Sequence, residues 1–292
     1  MSIRVSVDST SDIPRARARE LGIEVVPLTV LFGDEAYRDG VDLDGPSFYS
    51  KLASSKVTPT TTAPAPALFE ESYRQMVKDG ATGVLAISLA GSLSSTHDSA
   101  LQAARTVSAE TGISFEVVDS HSVSGGAGLP AEIIAREAAE GKSLADLKAH
   151  AESLFKRVHL VAVLDTLEYL QRGGRIGRAR ALMGTLLNVK PLLEVRDGQV
   201  LPLENVRTRG KAQDRVAQII AALGEIEALG VIQSNDAVGE ELTQRARTFW
   251  SGPIEVFTLG PVVGTHAGPG AGAIVAITSK EAAAPTTTPT TP

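Results

Sequence analysis

The sequence predicts an α/β protein built from two α/β domains, the first a mainly parallel sheet flanked by helices and the second mixed. Three observations carry that expectation. Short runs rich in Val, Ile and Leu recur along the chain, as buried strands require. Between them, apolar residues return at helical spacing and end at glycines. Strands alternating with helices favour parallel pairing, because each crossover helix must lie on a face of the sheet.

The elements follow in order. "IRVSVDS" (3–9) and "EVVPLTVLF" (24–32) read as the first two strands. Phe69, Tyr73, Met76 and Val77 fall on one face of a helix that Gly80 stops. "GVLAISLA" (83–90) is the third strand. Ala100, Leu101, Ala104 and Val107 mark the next helix, with Gly112 behind it. "ISFEVVDS" (113–120) is the fourth strand. Leu144, Leu147, Ala151 and Leu154 predict a helix over 143–157. There the character changes, so the division is placed at residue 157, with domains 1–157 and 158–280. The second set opens with "HLVAVLDT" (159–166), and Asp197-Gly198 predicts a tight hairpin inside "LLEVRDGQVLPL". Ala212, Val216, Ile219, Ile220 and Leu223 form a helix, followed by "GVIQS", a further helix, "PIEVFTLG" and "GAIVAITS". The Ala/Pro/Thr run 281–292 is expected to be a disordered tail.

Composition excludes several classes. The 292 residues carry 28 Lys and Arg against 34 Asp and Glu, and this acidic balance argues against nucleic acid as a partner. With no cysteine, there is neither disulfide nor thiolate chemistry. No apolar run reaches the roughly 18–20 residues of a membrane span, and the start lacks a signal-like apolar region. A cytoplasmic location is expected.

Common catalytic signatures are missing. "EGKS" (140–143) resembles the end of a phosphate loop, but Arg136 stands where its first glycine belongs. There is no GxSxG elbow, HExxH pair or GxGxxG fingerprint, and His97, His121, His150, His159 and His266 show no metal-ligand spacing. "DGVDLD" (39–44) lacks a calcium-loop pattern and is expected to be a solvated loop. Neither metal nor cofactor is expected.

What remains are hydroxyl-rich turns beside helix starts, "TPTTTAPAP" (58–66), "SLSSTHDSA" (92–100) and "VVDSHSVSGGAG" (117–128), and the histidine-bearing glycine run "GPVVGTHAGPGAGAI" (260–274). The hydroxyls could simply cap helices. Alternatively, they lie outside the carboxyl ends of the strands, where open α/β sheets bind ligands. No lysine or arginine is evident beside them, which suits a carboxylate held by neutral donors, with His266 donating or adjusting its charge.

These motifs together resemble the bacterial DegV family. The resemblance runs from "VDSTSDIP" (7–14) through "PTTTAP", "LSST" (93–96), "VVDS", "LEYLQRGGRIG" (167–177) and "VKPLL" (189–193) to "GTHAGPGAG" (264–272). It implies a DegV-like fold and a lipid-binding protein: a fatty-acid carrier, subunit of fatty acid kinase, that presents a carboxylate to the partner's ATP-binding subunit for acyl-phosphate formation and does no bond chemistry itself. The carboxylate would meet Thr61 and Ser94, with His266 close by. Thr62 replaces the usual serine and keeps a hydroxyl; Ser95 replaces a glycine, adding a Cβ that could shift the head-group geometry. "ARALMGTLLNVKPLLEV" (179–195) would wall an acyl tunnel. Arg172, Arg175, Arg178 and Arg180, then Arg207, Arg209 and Lys211, are either solvated surface or a contact for an acidic partner or an acyl phosphate. Transient membrane contact is a further expectation. Burying some 14 methylenes is worth about 10 kcal/mol, against about 1.5–3 kcal/mol for each charge-assisted hydrogen bond. Affinity would come from the tail and orientation from the head group. Two rival readings are a Ser94/His266 acyl hydrolase or transferase and a phosphometabolite-binding protein.

Overall fold

A computed structural model describes residues 2–184 and 189–279. The first strand, β1 (Ile3–Asp8), leads through α1 (Arg15–Glu20) to β2 (Ile23–Val26). Strands β3 (Thr29–Phe32) and β4 (Glu35–Arg38), helix α2 (Gly45–Ser54) and β5 (Thr60–Thr62) follow. Then come α3 (Pro66–Lys78), β6 (Gly83–Ser88), α4 (Thr96–Thr111) and β7 (Ser114–Asp119). Helices α5 (Gly125–Ala139) and α6 (Leu144–Phe155) lead to β8 (Val158–Val163) and α7 (Glu168–Arg172). The hairpin of β9 (Lys190–Arg196) and β10 (Gln199–Val206) precedes α8 (Arg209–Ala221) and β11 (Ile226–Gln233). The last elements are α9 (Asp236–Ala246), β12 (Ile254–Thr258), α10 (Pro261–Ala267) and β13 (Gly272–Thr278).

The strands form a parallel sheet ordered β2-β1-β6-β7, a mixed sheet ordered β10-β9-β8-β13-β11-β12 and a small antiparallel sheet ordered β4-β3-β5. In the mixed sheet only β11 and β12 pair in parallel. This is the α/β class read from the sequence. The tight hairpin is also present, with Asp197 at φ 50° and Gly198 at φ 71°, the positive angles that suit a two-residue turn.

Helix α5 explains how the two large sheets share one core. Its residues 125–132 are all buried, as expected of a helix covered on every side. One apolar cluster runs from Val5, Val7 and Ile87 through Leu129, Ile134 and Leu147 to Leu160, Leu193 and Val275. Glycines make this closeness feasible: a Cβ at Gly128 would lie 2.7 Å from the ring of fully buried Phe257. The outer faces are covered by α3 and α4 on the parallel sheet and by α8 and α9 on the mixed one.

Three local expectations change. "EVVPLTVLF" is two strands in two sheets, because Pro27 lacks an N–H and interrupts the ladder. The glycine run around His266 is not all loop. Pro261 starts α10, and the turn opens only at Gly268 and Gly270, with φ 76° and 74°. The acidic segment 39–44 is not wholly solvated: Asp39 is 3% exposed and accepts a bond from Ser9 Oγ. Asp42 pairs with Arg38, and Asp44 caps α2 through the Ser47 N–H. Residues 185–188 of the expected tunnel wall and the expected tail 281–292 lie outside the described residues.

Candidate functional site

The carboxyl ends of β1 and β6 and the turn after β7 face the inner surface of the mixed sheet. Between them lies a cavity of about 200 Å³. Its walls are largely aliphatic: Leu160, Ala162 and Leu164 come from β8 and its end, Leu193 and Val195 from β9, Val262 and Val263 from α10. Leu160 and Ala162 alternate along β8 with Val161 and Val163, which pack on the opposite face with Ala212, Val216 and Ile220 of α8.

The polar lining gathers around His266. Thr61 and Thr62 both line the cavity, on β5. Thr61 lies opposite Val30 of β3, which is fully buried, and its Oγ1 lies 2.9 Å from His266 Nε2 in a hydrogen bond. Successive strand residues face opposite ways, and Thr62 is accordingly exposed. Ser94 lines the cavity too; its hydroxyl bonds Thr96 Oγ1 at 2.8 Å and accepts the Thr96 N–H at 3.3 Å. Ser95 sits at φ −74°, a conformation open to any residue, so the backbone there does not need a glycine.

The capping alternative can be judged directly. The N-cap residues of α3, α4 and α5 are Ala65, Ser95 and Ser124, and none makes a side-chain cap bond. Ser124 Oγ instead donates to Asp12, and Thr10 Oγ1 to Asp8. Thr10 and Ser124 were not singled out from the sequence, yet both line the cavity. Their sequence signals were membership of the "VDSTSDIP" motif of the resemblance for Thr10 and of the hydroxyl-rich turn 117–128 for Ser124.

Arg175 changes the electrostatics expected from the sequence, where no cation stood beside the hydroxyl turns. It lines the cavity, donating from Nε to Leu93 O at 3.2 Å and from Nη1 to Gly173 O at 2.7 Å. Burial first, and the Arg175 charge second, push the His266 imidazole down to about 4. His266 is therefore neutral near pH 7. Its Nδ1 is buried and has no hydrogen-bond partner among the described residues. It is packed so tightly on Gly173 that a Cβ there would lie 2.1 Å from Nδ1.

Helix α10 is held at both ends. The Gly260 N–H donates to Asp12 Oδ1 at 2.8 Å, and Tyr49 Oη donates to Gly268 O at 3.4 Å. Gly264 lets Phe48 approach the helix, since a Cβ would lie 2.8 Å from its ring. Burial pushes the carboxyls of Asp12 and Asp39 up, Asp39 to about 7.

The other basic residues are not in the cavity lining. Arg209 is tied to Asp165 at 2.9 Å and to Gly270 O at 3.0 Å, and Lys190 shares Asp165 at 2.7 Å. Arg172 pairs with Glu168, while Arg178, Arg180, Arg207 and Lys211 are exposed. Among the described residues no group of three or more His, Cys, Asp or Glu could hold a metal ion, and no helix is long and apolar enough to cross a membrane.

The arrangement can hold an amphiphile with one small acidic head. It is poorly arranged for Ser-His catalysis. Ser94 bonds Thr96 and His266 bonds Thr61, and no described carboxylate hydrogen-bonds the imidazole to orient it.

Comparison with known proteins gives the chain a family and a shared fold. The model of the DegV family, described as an uncharacterised protein family, matches residues 2–279. A DegV domain-containing protein of Halalkalibacterium halodurans is 36% identical over 274 residues, spanning 92% of this chain and 95% of its own. A fatty-acid-binding DegV family protein from Thermus thermophilus superposes with a TM-score of 0.87 at 32% identity, covering 95% of this chain and 100% of its own. DegV of Bacillus subtilis, a fatty acid binding protein, superposes at 0.83 with 31% identity, over 95% and 99% of the two chains. The chain belongs to the DegV family.

Proposed function

We propose that this protein binds a long-chain fatty acid in the aliphatic cavity and presents its carboxylate to the ATP-binding subunit of a fatty acid kinase, which forms the acyl phosphate. The observation that carries the reading is the asymmetry of the cavity. Leucine, valine and alanine line most of it, while hydroxyls of Thr10, Thr61, Thr62, Ser94, Ser95 and Ser124 join Arg175 and the Thr61-bonded His266 in its polar lining. Thr61 and Ser94 donate hydroxyl bonds to the carboxylate, Thr62 remains at the exposed face of β5, and His266 crowds the head group. The protein is a carrier rather than a catalyst on this reading, and it uses no cofactor. Arg207 and Arg209 belong to the surface offered to the partner, Arg209 already ordered by Asp165. The division at residue 157 is proposed as one between the strands of the parallel sheet and those of the mixed sheet, although a single apolar cluster joins the two.

A structure with palmitate bound tests the head-group assignment. The carboxylate should lie within hydrogen-bond distance of Thr61 and Ser94, and Ser94→Ala should disorder it. Head-group order unchanged by that substitution counts against the role of Ser94. Mixing the loaded protein with a kinase subunit and ATP should give acyl phosphate only when both proteins are present.

A further inference from the structure

A second cavity, of about 320 Å³, lies where the turn after β7, the end of α6, the start of β8 and the β9–β10 hairpin meet. Ser120, Ser122, Lys156, His159, Arg196 and Asp197 line it. Its walls are fixed by the backbone, the Gly198 N–H donating to His121 O at 2.8 Å. His121 itself is held at φ 50°.

The polar atoms of this cavity are unusually idle. Ser122 Oγ, both ring nitrogens of His159 and Nη1 of Arg196 are buried without a hydrogen-bond partner among the described residues. His159 is 5% exposed and Ser122 3% exposed. Buried polar groups in native proteins are nearly always satisfied, so a cluster of idle ones beside a guanidinium marks a place for a ligand or for ordered water that a ligand can displace. Arg196 does have acidic neighbours, but Glu194 lies 3.6 Å from Nη1 and Asp197 lies 4.0 Å from Nε. Both distances are too long for hydrogen bonds. Asp197 itself is mostly in water, with 89% of its side chain exposed.

We propose that this cavity is a second binding site, for a small phosphorylated or carboxylated metabolite whose anionic oxygens meet Arg196, Lys156 and Ser122 while His159 supplies one N–H donor and one acceptor. A guanidinium suits such oxygens because its N–H groups form a planar fork. Burial and the Arg196 charge hold the His159 pKa below its usual value, so its two nitrogens keep the different roles of a neutral imidazole. The site is separate from the fatty-acid head group but backs onto the aliphatic cavity, since Val195 lines both.

The test is a titration of the isotope-labelled full chain with inorganic phosphate and, in parallel, acetate, at constant ionic strength, followed by amide chemical shifts. Saturable shifts at residues 120–122, 156, 159 and 196 are expected. Tighter binding of phosphate assigns a phosphorylated ligand and tighter binding of acetate a carboxylated one. Arg196→Gln should weaken binding at least about tenfold, the loss of one charge-assisted bond. Lys156→Gln, at an exposed side chain, should weaken it less and guards against misfolding of the first variant. Arg105→Gln, which removes an exposed charge on α4, should leave it unchanged. The proposal is overturned if neither anion gives saturable shifts there, or if Arg105→Gln weakens binding as much as Arg196→Gln.

Discussion

Replacing Thr61 by Val separates the head-group and tail contributions. Valine keeps the branched shape and suits β5, but removes the hydroxyl that bonds His266 Nε2 at 2.9 Å. In the free protein the imidazole would then have no partner on either nitrogen among the described residues, since Nδ1 already lacks one there. Leaving such a buried group unpaired costs about 1–3 kcal/mol of stability. In the complex, one bond to an ionised carboxylate is lost, worth about 1.5–3 kcal/mol, or roughly a ten- to 150-fold weaker affinity. The tail contribution should not move. Each methylene still adds about 0.8 kcal/mol, close to fourfold per carbon. The assay is calorimetric or fluorescence-displacement binding of fatty acids of increasing length, each against the alcohol of the same length. Thr61→Val should lower the intercept for the acids, keep the slope with chain length, and narrow the preference of acid over alcohol. Equal losses for acid and alcohol, or an unchanged acid affinity, would refute the assignment of Thr61 to the head group.

Three further outcomes follow from the same geometry. The His266 ring should titrate near 4 in the free protein and higher once a carboxylate lies beside it, because a nearby anion favours imidazolium; binding then takes up protons between the two midpoints, and an unshifted ring titration by NMR contradicts the contact. Gly173→Ala should abolish the acid-over-alcohol preference while far-UV circular dichroism stays native, since φ there is an ordinary −77° and only the Cβ, 2.1 Å from Nδ1, intrudes. An unaltered preference would show that the imidazole position is immaterial. Asp39 is raised from 3.8 to about 7 by burial, so the folded state keeps a proton that the unfolded state sheds in that window; the stability it contributes is full below the lower value and lost as pH rises through the upper one. Asp39→Asn should therefore gain thermal stability relative to the parent between about pH 4 and pH 8, and a gain that is flat or falls with pH speaks against the buried carboxyl.

The strands and helices with long apolar patterns were readable because burial writes a period into the chain. Helix α3 shows it in Phe69, Tyr73 and Met76, all buried. Strand β5 was not readable: three polar threonines are too few to show alternation, and they form a strand only because β3 lies beside them. A helix was expected to open after the turn 117–128, but the glycines of that turn read as loop, whereas Gly125, Gly126 and Gly128 lie inside α5 and serve close packing between the two sheets. Helix α10 was hidden in the same way.

The candidate site was legible to a lesser degree. Ser94, Thr61 and His266 stood out as hydroxyl turns and a histidine run, yet their roles came from resemblance rather than spacing. The Thr61–His266 bond joins residues 205 apart, and Arg175 reaches Leu93 across 82. No local pattern encodes such meetings. Within its cluster Arg175 could be solvated surface or a contact for a partner or an acyl phosphate, and nothing in the sequence distinguished it from Arg172, Arg178 and Arg180, which are exposed while Arg175 bonds Leu93 O and Gly173 O at the cavity.

The central claim is tested most directly by native mass spectrometry of the purified protein, followed by denaturing extraction and mass analysis of the released lipid. The account predicts one fatty acid per chain, retained in the native spectrum and released on denaturation. A protein that carries no lipid and takes up none when fatty acid is added would contradict it.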